Sequence, residues 1–143
     1  MVVNATIEKF GYPGTLLAEF GHWLVLLRPA QVTLGSLVLA AKGDATAYSQ
    51  LPAAAFTEQR AAVAAIESAL AAFTRYERLN YLMLMMVDPH VHFHVIPRYG
   101  EPRSWRGMAF PDSGWPGPPD LKSAISLEEP ALAELKSELS RHF

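Results

Sequence analysis

Three of the chain's five histidines fall within five residues. His90, His92 and His94 alternate with Val91, Phe93 and Val95. On an extended strand, successive side chains point to opposite faces. The spacing therefore predicts three imidazoles on one face of a strand and an apolar face opposite, packed beneath a helix. Three chemistries fit such a row. A neutral imidazole is abundant near pH 7 and can attack phosphorus, while its neighbours fix its tautomer, bind phosphate oxygens or protonate a leaving group. Alternatively, two histidines spaced two apart have Cα atoms about 6–7 Å apart and can share a metal ion with a further ligand such as Asp88. The outer pair, about 13 Å apart on a straight strand, is too far for one ion. The plainest alternative is a solvated polar face.

Other residues carry a functional and a structural reading side by side. Arg28, before Pro29, and Arg98, at the end of the histidine run, can each meet a phosphate or simply lie solvated at a turn or strand end. Trp115 can stack on a base, join a dimer contact or anchor a loop by burial. Ser36 reads as structural, and no Ser-His-Asp arrangement is legible. Met83, Met85 and Met86 read as packing. His22 and His142 read as solvated, and Asn80 as a residue that pins its strand.

These residues need elements to position them. Asn4 to Phe10 can form a short helix stopped by Gly11. Strands are expected at Leu16 to Phe20, Trp23 to Leu27 and Val32 to Leu39, with Pro29 ending the second. From Phe56 to Tyr76, Ala is abundant and Gly and Pro are absent. Phe56, Val63, Ile66, Leu70 and Phe73 recur there at helical spacing, with Glu58, Gln59, Arg60 and Glu67 facing water. Asn80 to Val87 and His90 to Tyr99 then form a hairpin about Asp88-Pro89. Residues 100–121 are irregular, rich in Pro and Gly, and long enough to suggest a functional loop. Ser126 and Glu129 form a capping box for a last helix reaching about Arg141. Neighbouring strand pairs around one long helix predict an α+β fold, a mostly antiparallel sheet with that helix packed on it. No dinucleotide-binding or phosphate-loop motif is present.

Composition limits the rest. The 143 residues fit one domain, 1–143, with a sizeable core; half are hydrophobic and 18% charged. The net charge of −2 gives no basic surface for nucleic acid or an anionic membrane. Without cysteine there are no disulfides, thiolate metal sites or Cys nucleophiles, which fits a reducing cytoplasm. Met1 to Phe10 has no apolar core of the kind a signal peptide carries. The apolar stretches are interrupted at Arg28, Lys42 and Asp88, short of a membrane span.

The run Asp88-Pro89-His90-Val91-His92-Phe93-His94-Val95-Ile96-Pro97-Arg98 resembles the signature of the histidine triad (HIT) family, His-φ-His-φ-His-φ-φ with φ apolar. Trp23 to Leu39 resembles that family's paired strands, and the resemblance spans roughly Leu16 to Tyr99. It implies an α+β fold with an antiparallel sheet and a homodimer; beside it, no cofactor or resident metal is expected. It also implies cleavage of small nucleotides such as dinucleoside polyphosphates or nucleoside phosphoramidates. His92 would become nucleotidylated, His94 would assist it at the phosphate, and His90 would support the site partly through its backbone carbonyl. Arg28 would lie near the ribose. A nucleotide-binding regulatory module with little turnover is the alternative. Where many relatives carry a Gly-rich loop with Gln and Ser or Thr, this chain has Met85-Met86-Val87-Asp88-Pro89. Ser36 stands where many carry a further histidine.

Overall fold

The computed structural model describes residues 3–143. A five-residue helix, α1 (Ala5–Lys9), opens the chain. The Asn4 side chain caps it by accepting the Ile7 N–H at 3.0 Å. Strands β1 (Leu16–Glu19) and β2 (Trp23–Leu27) follow as an antiparallel pair. After the two-residue β3 (Ala30–Gln31) comes β4 (Leu37–Ala41), paired with β2 along its whole length.

Only the end of the expected strand from Val32 to Leu39 is therefore a strand. Residues 32–36 turn, because the Gln31 side chain accepts the N–H groups of Gly35 and Ser36, and Gly35 takes φ +94°. Ser36 braces this turn by donating to the Thr33 carbonyl at 2.7 Å, a structural role.

The long helix α2 runs Ala53–Thr74, starting directly after Pro52 and ending where Arg75 takes left-handed φ 51°. Its buried line is Ala55, Ala62, Ile66, Ala69, Leu70 and Thr74. Phe56, expected on that line, is 41% exposed and packs on Tyr48 instead, with ring centroids 5.2 Å apart. Strands β5 (Arg78–Leu82) and β6 (His92–Arg98) complete a five-stranded antiparallel sheet in the order β1-β2-β4-β6-β5.

One face of the sheet packs on α2. There Trp23, Val25, Leu27, Leu39 and Val95 join Ile66 and Leu70 in the main core. The Trp23 indole also donates to the Ala55 carbonyl at 2.8 Å, fixing helix against sheet. The opposite face carries Leu24, Leu26, Val38 and Ala40, covered by Ile7 of α1. Both faces are buried, so β2 and β4 read as continuous apolar runs with no polar alternation.

The segment expected to be wholly irregular holds a small hairpin, β7 (Arg103–Trp105) with β8 (Met108–Phe110). Arg106 and Gly107 both take positive φ, the geometry a two-residue hairpin turn requires. The last elements are β9 (Ile125–Ser126), paired with β3, and α3 (Ala131–Ser140). Ser126 is thus a strand residue, and the expected capping box does not form; Pro130 stands at the helix start. Among the described residues, no helix is long and apolar enough to cross a membrane.

Candidate active site

The expected row of three imidazoles is realised for two. His92 and His94 face the same side of β6, opposite Ala40 and Val38 of β4. Their rings meet nearly edge-on, with centroids 5.1 Å apart. His90 lies before the strand, in a bend. The partner strand β4 ends at Ala41, before the Lys42-Gly43 turn, so the ladder cannot extend to His90. Nor do the two strands form a tight hairpin: β5 stops at Leu82 and residues 83–91 arch between them.

His90 still reaches His92, through the backbone. Its carbonyl oxygen lies 2.7 Å from His92 Nδ1. A carbonyl only accepts, so Nδ1 carries the proton and Nε2 keeps its lone pair. The His90 ring meets the Thr6 hydroxyl of α1 at 2.8 Å through Nδ1. On the other side, Arg28 Nε faces His94 Nδ1 at 3.5 Å. With a guanidinium on Nδ1, His94 holds its proton on Nε2, an N–H donor. Burial pushes the His94 pKa down to about 4, and the positive charge of Arg28 and the neighbouring His92 add to the effect. His94 is therefore neutral near pH 7.

Although His92 is only 2% exposed, it lines a cleft of about 350 Å³ together with His94 and Arg28. Lys9 and Phe10 border the cleft from the N-terminal side. The Phe10 ring packs on both imidazoles, at 5.7 Å from His92 and 5.8 Å from His94. The other wall is the arch, Leu84 to Asp88, with Leu121 beyond it. Lys9 and Asp88 pair across these walls at 2.9 Å. Thr6, Lys9, Phe10 and Leu121 carry no recognisable signal in the sequence, because each reaches the site only through tertiary packing.

Arg98 does not line the histidine cleft. It is 4% exposed and holds Asp112 in a two-pronged ion pair, Nε to Oδ2 at 2.7 Å and Nη2 to Oδ1 at 3.1 Å. The same guanidinium donates to the Asn80 side chain and the Gly117 carbonyl. It thereby fastens the Pro/Gly segment to the sheet, away from that cleft. Trp115 borders a separate cavity, with Arg78, Asn80 and Arg98 itself. His22, expected to be solvated, is held by Glu58, which accepts from its Nδ1 at 3.0 Å and from its backbone N–H. Among the described residues, no three His, Cys, Asp or Glu side chains gather as a metal cluster.

No family model matches the sequence, and no curated protein matches it. Solved structures do. The chain is similar to a histidine triad protein from Bradyrhizobium japonicum, at 18% identity over 98% of this chain and 96% of that one, with TM-score 0.72. A histidine triad (HIT) protein from Sinorhizobium meliloti 1021 gives 17%, 99% and 96%, with TM-score 0.74. One from Marinobacter aquaeolei VT8 gives 20%, 94% and 92%, with TM-score 0.67. The chain has the fold of the histidine triad proteins. The α+β architecture and antiparallel sheet that the motif implied are thus present, with the motif's second and third histidines on the strand that floors the cleft.

Proposed function

We propose that the protein is a nucleotidyl hydrolase or transferase that works through a covalent nucleotidyl-His92 intermediate. The single observation carrying this reading is the hydrogen bond from His92 Nδ1 to the His90 carbonyl, which leaves Nε2 of a cleft-lining imidazole free to attack. His92 Nε2 forms a bond to the α-phosphorus of a nucleotide and the bond to the leaving group breaks. His94 offers its Nε2–H to a phosphate oxygen, and Arg28 supplies the positive charge beside it. Water then attacks phosphorus, the N–P bond breaks and the nucleoside monophosphate departs. His90 positions the nucleophile through its carbonyl and is not a group that touches substrate.

Brief incubation with adenosine 5′-phosphoramidate, quenching and peptide mass spectrometry test the proposal. An AMP adduct on His92, absent in His92→Asn, is expected. Equal cleavage by wild type and His92→Asn overturns it.

A second reading, a nucleotide-binding module with little turnover, draws on one feature. The arch wall from Leu84 to Val87 presents no polar side chain to a phosphate. An adduct, or bound AMP, that persists without release would favour it.

A further inference from the structure

Arg98, Asn80 and Trp115 meet at a second cavity, which the proposed reaction does not use. It holds about 440 Å³ and shares no lining residue with the histidine cleft. Across β5 and β6, Arg78 stands opposite Arg98, Asn80 opposite Ile96 and Leu82 opposite His94. Arg78, Asn80 and Arg98 therefore lie on the sheet face that carries His94. Arg98 follows His94 by four residues, about 13 Å along the strand, with the fully buried Ile96 between them.

An arginine carries five N–H groups. Arg98 engages four of them. Nε and one Nη2 hydrogen go to Asp112, the other Nη2 hydrogen to the Gly117 carbonyl, and one Nη1 hydrogen to Asn80 Oδ1. The fifth, on Nη1, meets no acceptor among the described residues, although the side chain is only 5% exposed. Because an arginine only donates, the Asn80 oxygen is turned toward it. The Asn80 Nδ2 group is left without an acceptor among the described residues. Arg78, exposed at the sheet edge, donates from Nη1 to the Glu77 carbonyl and makes no ion pair among the described residues. Asp112 cancels the charge of Arg98, and Glu77, held on the Gly100 N–H at 2.7 Å, does not line the cavity. The cavity thus carries one net positive charge, with side-chain donors and no free side-chain acceptor. That suits an oxyanion and disfavours a cation.

The rest of the lining is apolar and already built. Trp115, Pro116 and Pro118 supply it. The Trp115 N–H donates to the Asp112 carbonyl at 3.2 Å, the Gly117 N–H to the Gly114 carbonyl at 2.7 Å, and the Gly117 carbonyl is tied to Arg98 at 2.8 Å. A preformed wall needs little ordering when a ligand arrives. We propose that this cavity is a second binding site, for a small aromatic oxyanion. The ring lies against Trp115 and the prolines. The carboxylate or phosphate monoester group meets Arg78, Asn80 Nδ2 and the unused Nη1 hydrogen of Arg98. The site does not depend on the His92 reading.

Calorimetric titration of the full chain with benzoate and acetate, and with phenyl phosphate as a competitor of benzoate, tests it. Benzoate should bind at least about tenfold more tightly than acetate, because only benzoate covers the Trp115 wall. The competition shows which oxyanion the donors prefer. Asn80→Asp keeps the acceptor for Arg98 but exchanges the Nδ2 donors for negative charge, and should weaken benzoate at least about tenfold. Arg78→Gln, at an exposed position, should weaken it about three- to tenfold and flatten its salt dependence. Trp115→Ala should bring the benzoate-to-acetate ratio toward one. Arg28→Ala, in the histidine cleft, should leave benzoate affinity within about twofold of wild type. Thermal unfolding of each variant separates lost binding from lost folding, and if Asn80→Asp does not fold, Arg78→Gln decides alone. Benzoate binding that survives both Asn80→Asp and Arg78→Gln, or that Arg28→Ala abolishes, overturns the inference. So does the lack of saturable binding of either ring-bearing probe at about millimolar concentrations.

Discussion

The Lys9 ammonium and the Asp88 carboxylate meet at 2.9 Å, joining the N-terminal helix to the arch that leads into the histidine strand. The Lys9 side chain is more than half exposed, so the pair contributes little to stability, about 0–1 kcal/mol. Its larger consequence is electrostatic. Asp88→Asn removes the one carboxylate among the cleft-lining residues and should tighten AMP binding by roughly three- to tenfold at low salt, less at high salt. Calorimetric titration at two ionic strengths checks this, and weaker binding would contradict it.

Thr6 is a positioning residue, because its hydroxyl touches the His90 ring and no part of the cleft. Thr6→Val keeps the shape and removes the hydrogen bond. Expected are a loss of about 1 kcal/mol in stability and a drop in kcat of several-fold with KM little changed. Thr6→Ser should restore kcat. A rise in KM alone would assign Thr6 to binding instead.

The buried His94 makes stability depend on pH. Its folded pKa of about 4 lies below the unfolded value of about 6.5. The unfolded chain therefore takes up this proton first as pH falls. Stability from this group is whole above about pH 6.5, declines from there to about pH 4, and is flat below. The total is at most about 3 kcal/mol. Denaturant unfolding across pH 4 to 7 should show that slope in wild type and a shallower one in His94→Gln. Parallel slopes would refute the assignment. In Arg28→Ala the folded pKa should rise, because a positive charge beside His94 has gone, so the decline still begins near pH 6.5 but ends at a higher pH and totals less.

Arg98 answers to stability. Arg98→Ala strands the buried Asp112 carboxylate and should cost about 3–5 kcal/mol, with loss of order in the Pro/Gly segment. Thermal unfolding and limited proteolysis within residues 111–121 would register it. If instead Arg98→Lys retains stability and loses only nucleotide affinity, the arginine belongs to the site after all.

Much of the architecture was legible because its signals are local. The apolar run Trp23 to Leu27 is a strand at the expected bounds, and the Ala-rich stretch is the long helix to within three residues at either end. The alternation of His92, Phe93, His94 and Val95 placed two imidazoles on one face correctly. What was not legible was set by tertiary partners. The His90 bend follows from where β4 ends, and the fate of Arg98 from an aspartate fourteen residues away. Glu58 looked like a water-facing helix residue until His22, thirty-six positions earlier, came to lie beside it. The turn at Arg106-Gly107 could have been found, since a glycine stands between Trp105 and the apolar run Met108-Ala109-Phe110.

The helix that brings Thr6, Lys9 and Phe10 to the cleft is five residues long, too short to persist without support. Its anchor is Asn4, whose amide also grips the Ala41 and Gly43 carbonyls at 3.1 and 2.8 Å. A residue outside the cleft lining thus anchors the helix after which Phe10 packs on His92. For anyone handling the protein, an affinity tag is safer at the far terminus, and Asn4→Ala is the substitution to watch for activity lost with the sheet intact.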